Sequence, residues 1–184
     1  ARTEGWVSGL QLAALSMQGR SDVENFVRSF TGSNRYILDY LIEDVLNQQS
    51  ASVQTFLLET SILRRMTGSL CDALTGQNNG QATLGTLERA NLFIVPLDNA
   101  RRWYRYHHLF AQLLRQRLER TWKPEKIYKL YRRAAGWYAE SGYLEEAVNH
   151  ALLGQDFAFT ANQISNLEMD SLWLQTWGLQ IIKW

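Results

Sequence analysis

At 184 residues, 46% of them hydrophobic and 12% aromatic, the chain can bury the core of one large domain or two small ones. Its 19 Lys and Arg against 18 Asp and Glu leave a formal net charge of +1, which argues against a dedicated nucleic-acid binder with a basic face. The single cysteine, Cys71, excludes an internal disulfide and points to a reduced, cytoplasmic setting. No apolar run approaches the roughly 20 residues of a membrane span, and no signal peptide is visible.

In chain order the pattern is helical almost throughout. Trp6, Leu10, Ala13, Ala14 and Met17 mark a first helix that Gly19 ends. Ser21 and Glu24 form a capping box for a short helix reaching Phe30. The next helix runs from Tyr36 to Gln48, with Ile37, Tyr40, Leu41 and Val45 on one face. Ser50 or Ser52 then caps a helix predicted over 51–64, where Val53, Phe56, Leu57 and Thr60 recur at helical period. A short helix follows over Ser69–Leu74 and closes at Gly76, and a third spans 80–91 with Leu84, Leu87, Ala90 and Asn91 on its stripe.

The segment LFIVPL reads as a strand in which Phe93, Val95 and Leu97 alternate with Ile94 and Pro96. Asp98, Asn99 and Ala100 have turn chemistry, and WYRYH returns as an aromatic strand. Three helices and a hairpin in this order predict a winged helix. His108 to Arg120 then forms a basic amphipathic helix with Leu109, Leu113 and Leu118 inward. Lys123-Pro124-Glu125 marks a boundary, with the proline suited to a first helical turn. Beyond it, Tyr131, Ala134, Ala135, Tyr138, Ala147 and Ala151 have the small-and-aromatic spacing of one tetratricopeptide-type helix pair, turned at Gly142. The chain starts in GWVSGLQLAALSM and stops in the Trp-rich LWLQTWGLQIIKW, both helical in pattern, so both ends read as cuts in a longer protein. An unpaired apolar helix at the end would favour self-association.

The fold class expected is mostly α. Residues 1–49 read as a helical domain, 50–122 as the winged helix, and 123–184 as the start of tetratricopeptide-like helical repeats. No phosphate loop, GxGxxG, HExxH or paired-cysteine site is present, so the chain by itself is not read as an enzyme. The adjacent His107 and His108 diverge at a strand–helix junction without a third ligand nearby, which argues against a metal. Cys71, between Leu70 and Leu74, reads as a packed thiol. Glu43-Asp44 and Glu145-Glu146 read as solvated helix faces.

Arg101, Arg102 and Arg105 on the hairpin and Arg115, Arg117 and Arg120 beyond it, interleaved with Trp103 and Tyr104, could meet phosphates and bases. The competing role is a solvated wing whose stems pack on aromatics. The candidate recognition helix, QATLGTLERAN, offers Arg89 as its one cation, which favours a role other than DNA reading.

Five blocks carry a family resemblance in the correct order: TEGWVSGLQLAALS, YILDYLIEDVL, FLLETSIL, LERANLFIVPLD and WYRYHHLFAQLLRQRL. From about Arg2 to about Phe159 the chain resembles LuxR-family regulators of the MalT type, ATP-dependent transcription activators of the STAND NTPase class. The resemblance implies a helical domain, a winged helix and the start of a helical-repeat sensor. A nucleotide-binding domain with its phosphate loop would lie upstream, and a DNA-binding helix-turn-helix far downstream. ADP or ATP is then the cofactor expected of the full-length protein, with none assigned to this stretch. The expected partners are those flanking domains, a second copy of the chain, and DNA only through the distant helix-turn-helix.

Two positions carry over. YHHL resembles the MHDL motif, which places His107 as a sensor of the nucleotide phosphate and His108 where an aspartate would stand. A histidine that merely caps the following helix is the competing role. GLQLA resembles GLPLA, so Gln11 occupies the adenine-side position with glutamine in place of proline. The implied function is a nucleotide-state-sensing lid or arm that controls oligomerisation. The alternatives are a DNA-binding winged helix, or an interaction scaffold with helical repeats.

Overall fold

The computed structural model describes residues 45–165. Gln11, Glu43-Asp44, the first two predicted helices, most of the third and the Trp-rich C-terminal segment lie outside the described residues. The chain divides into two compact units, with the boundary in sequence between Trp122 and Lys123.

In the first unit, residues 45–47 are helical and lead to α1, Ala51–Thr60. Ser50 caps α1 by accepting from the Val53 N–H at 3.4 Å, satisfying one of the donors a helix start leaves open. Phe56, Leu57 and Thr60 face inward as their spacing requires. The helix stops at Thr60, short of the predicted residue 64. The following residues turn away instead, and Met66 forms an antiparallel bridge with Tyr104. Met66 N–H donates to the Tyr104 carbonyl at 2.8 Å, and the Met66 carbonyl accepts from Tyr104 N–H at 2.9 Å.

Helix α2, Gly68–Thr75, is capped by Thr67, whose hydroxyl accepts from Leu70 N–H, and ends at Gly76 with φ +71. That left-handed conformation suits glycine, which closes the helix without a Cβ clash. Helix α3, Gly80–Arg89, has no side-chain cap at Asn79; the Gly80 N–H is met by the Asp72 carboxylate at 2.7 Å. The two helices cross closely: a Cβ on Gly80 would stand 2.4 Å from the Gly68 carbonyl oxygen. Leu84 and Leu87 are buried, whereas Ala90 and Asn91 are exposed. The predicted stripe ends early because Asn91 turns to φ +52 and breaks the helical period.

Strands β1, Ile94–Pro96, and β2, Tyr104–Tyr106, pair antiparallel, with Ile94 opposite Tyr106 and Pro96 opposite Tyr104. The expected alternation in LFIVPL is not followed, since Leu92, Phe93 and Ile94 are all buried and Leu97 is exposed. Phe93 adopts φ +54, so the chain leaves α3 through a sharp reversal before it enters the strand. At the wing tip Asp98 accepts from the Arg102 and Trp103 N–H groups, both at 3.0 Å. Those bonds, Arg102's first, hold its carboxyl below the usual carboxylate range. Helix α4, His108–Thr121, starts one residue after β2 and buries Phe110, Ala111, Leu113, Leu114 and Leu118. The order helix, bridge residue, two helices, hairpin and helix is that of a winged helix.

In the second unit, α5, Pro124–Glu140, begins with proline in its first turn and packs along α6, Leu144–Leu153. Ala134, Ala135, Ala147 and Ala151 are buried between them beside Tyr138, so small side chains let the helices approach. Gly142 turns the chain with φ +80, and Tyr143 N–H donates back to the Tyr138 carbonyl at 2.8 Å. Helix α7, Phe157–Ser165, is capped by Asp156 and packs on α6. No helix among the described residues is long and apolar enough to cross a membrane.

Candidate functional site

His107 occupies the single residue between β2 and α4, and its backbone is held from both sides. Its N–H donates to the Phe93 carbonyl at 2.7 Å, and its own carbonyl accepts from Ala111 N–H at 2.9 Å. The first bond comes from the residue with positive φ, so the reversal after α3 sets where His107 lies. Phe93 and Tyr106 both pack on Phe110, with ring centroids 5.2 and 5.7 Å away, which fixes the start of α4 against the hairpin. His107 is 8% exposed and lies 4.4 Å, ring to ring, from the exposed His108. Its backbone sits in the N-cap position while its side chain makes no capping hydrogen bond. Merely capping the following helix is therefore not what the side chain does here.

Beside this junction is a cleft of about 550 Å³. One exposed face of α4 lines it through His108, Gln112, Arg115, Gln116 and Glu119, and Arg64 and Arg105 stand on the facing segments. Leu63, Tyr106 and Ala111 supply apolar wall. The antiparallel bridge from Met66 to Tyr104 runs the 63–64 segment alongside β2, which is why two arginines 41 positions apart in sequence share one concavity. Arg115 is pinned by its Nε donating to the Ser61 carbonyl at 2.9 Å.

The predicted basic surface is divided among separate tasks. Arg101 pairs with Glu88 at 3.0 Å, and Arg117 donates to the Asn47 side chain at 3.0 Å. Arg105 and Arg115 alone of the six expected cations face the cleft together. Arg64 had no counterpart among the expected site residues; the doublet Arg64-Arg65 was its only trace in sequence. Arg65 instead lies over the Trp103 ring, 4.6 Å from its centroid. On α3, Arg89 is tied to Thr86 Oγ1 at 3.1 Å. Cys71 is fully buried, and burial followed by the Asp72 charge pushes its thiol far up, so it is no nucleophile at neutral pH. No group of three or more His, Cys, Asp or Glu suited to a metal occurs among the described residues.

The fold and this junction define a winged helix whose last strand delivers a histidine pair to a helix start. More particularly, residues 42–126 match the family model of the MalT winged helix domain. The chain is 36% identical over 172 residues to the HTH-type transcriptional regulator MalT of Klebsiella pneumoniae, and 41% identical over 155 residues to that of Yersinia pestis. These matches cover 92% and 83% of the chain and 18% and 17% of those proteins. It is also 40% identical over 154 residues to the serine/threonine-protein kinase PknK of Mycobacterium tuberculosis, covering 84% of the chain and 14% of that protein. The chain is thus MalT-like, built around a MalT winged helix domain, and spans less than a fifth of the length of these relatives.

Proposed function

We propose that this chain is a regulatory, non-catalytic part of a MalT-like transcription regulator, in which the winged helix acts as the arm that senses nucleotide state. The observation that carries this reading is the seat of His107, with its backbone locked between Phe93 and Ala111 and its ring against His108 at the edge of a cationic cleft. A histidine held this way is presented as a fixed group to an upstream nucleotide domain. It would contact the phosphate of bound ADP when the arm is closed and lose it when the arm swings away. Such a contact biases a two-state equilibrium only by its differential strength in the two states. The helix pair α5–α6 would begin a stack of tetratricopeptide-like repeats that receives the inducer. Inducer and ATP together would release the arm and allow self-association, with DNA engaged through a separate domain.

The similarity to a protein named as a kinase favours a regulatory module that is not tied to one kind of output. A DNA-reading role has less behind it, because α3 presents one cation and that cation is bonded to Thr86. The test is His107→Ala in the full-length protein, with ADP retention and inducer dependence as readouts. Faster ADP release and activity without inducer are expected; unchanged retention and unchanged inducer dependence would sink the sensor role.

A further inference from the structure

We infer that the exposed apolar stripe of α7 is a docking surface for a segment of its own chain, residues 171–184, which covers it as an antiparallel helix. Helix α7 packs on α6, with Thr160 buried and Phe159 and Gln163 half-buried. Phe157, Ala161 and Ile164 recur at i, i+4 and i+7, so they form a second stripe beside that face. All three are exposed, Phe157 at 67%, and Leu152 and Leu153 at the end of α6 are exposed as well. The apolar arc of α7 is thus wider than the part that α6 covers.

The segment SLWLQTWGLQIIKW has the matching pattern. At helical period Leu174, Trp177 and Ile181 share one face, with Thr176 and Lys183 on the other. Residues 166–170 alone separate it from the end of α7 at Ser165, a link within the roughly 2–8 residues usual between packed helices. Running back along α7 at equal rise, Leu174 meets Ile164, Trp177 meets Ala161 and Ile181 meets Phe157. The bulky indole thereby falls opposite the smallest side chain of the stripe. A second copy of the chain fits the face less well. Its large side chains expose roughly 400 Å² between them, where an aromatic buried in full contributes about 150–250 Å². A stable interface needs about 800 Å² from each partner. A segment tethered by a short link acts at an effective concentration in the millimolar range, so a face of this size is enough to hold it.

Hydrogen exchange of the whole 184-residue chain, read by mass spectrometry beside light scattering, tests the docking. Slowed amide exchange over residues 172–184 of a monomer, independent of protein concentration, is expected. Phe157→Asp combined with Ile164→Asp should speed that exchange roughly tenfold or more, since two large apolar contacts are lost, while α5 and α6 keep their protection. Both residues are exposed on α7, so the α5–α6 pair does not depend on them. Leu174→Asp, on the other side of the contact, should have the same effect and decides the matter should the first variant disturb α7. Unprotected exchange over 172–184 in the unaltered chain, or protection that survives these variants, would overturn the inference. Protection that appears only as the mass doubles would assign the face to a second copy and overturn it equally. None of these readouts involves a nucleotide, so the outcome is independent of the sensor role proposed for His107.

Discussion

The hydroxyls of Tyr106 and Thr60 meet at 2.7 Å in the core, joining the strand that delivers His107 to the end of α1. Thr60 Oγ1 also donates to the Phe56 carbonyl at 2.7 Å, so the Tyr106 hydroxyl is the donor in the pair. The two partners are not equivalent. Tyr106→Phe leaves Thr60 bonded to Phe56 and should cost about 1 kcal/mol. Thr60→Val strands a buried phenol hydroxyl and should cost about 1–3 kcal/mol. Denaturant unfolding of both single variants and the double variant checks this, the double costing less than the sum. Equal costs would show that water reaches the pair.

Alkaline pH should destabilise the winged helix in two stages. Burial raises the Cys71 thiol, with help from Asp72, and raises the Tyr106 phenol, with a smaller rise from Cys71. For a group whose folded pKa is raised, the stabilisation is complete below its unfolded pKa and lost as pH rises beyond it. Loss therefore begins above the unfolded cysteine value of about 8.5 and steepens above the tyrosine value of about 10. Each group contributes a slope of about 1.4 kcal/mol per pH unit. In melts at stepped pH, Cys71→Ala should postpone the first stage. An unchanged onset would mean that another group sets it.

Acid should loosen the wing tip. Asp98 is held low chiefly by its hydrogen bond from Arg102 N–H and then by that from Trp103 N–H. Its contribution is present above the unfolded value of about 3.9 and fades as pH falls through the lowered one. Amide shifts of Arg102 and Trp103 should follow a single titration below about pH 4, and Asp98→Asn should abolish it.

The glycines separate into two kinds. A Cβ on Gly68 would lie 2.6 Å from Gln81 Cβ and 2.7 Å from its backbone nitrogen, so Gly68→Ala should cost about 1–3 kcal/mol by forcing α2 and α3 apart. Gly136, inside α5, has nothing within 4 Å of such an atom, so Gly136→Ala should stabilise the second unit by about 0.5–1 kcal/mol through helix propensity. Thermal unfolding of the two variants should move in opposite directions.

Local chemistry was enough to read the element order. Ser50, Gly76, Asp98, Pro124 and Gly142 each hold the cap or turn that their side chain, or lack of one, suits. Leu84 and Leu87, Ala134 and Ala135, and Ala147 and Ala151 bury the faces their spacing predicts. These features depend on residues within a turn or two of each other, which is the range over which sequence pattern acts. The early stop of α1, the bridge at Met66 and the reversed Phe93 were not readable. Each exists because a partner 14 to 38 positions away in sequence supplies the compensating bond or contact, as His107 does for the Phe93 carbonyl and Tyr104 for Met66. The site divides the same way. The histidine pair and the basic residues stood out in sequence, but which of them line the cleft was settled by long-range pairing. Arg65 turns to Trp103 and Arg101 to Glu88, while Arg64 and Arg105 are left facing one space beside His108. A string of residues can show that charges are present; only the folded chain decides which are paired with neighbours and which are left lining an open cleft.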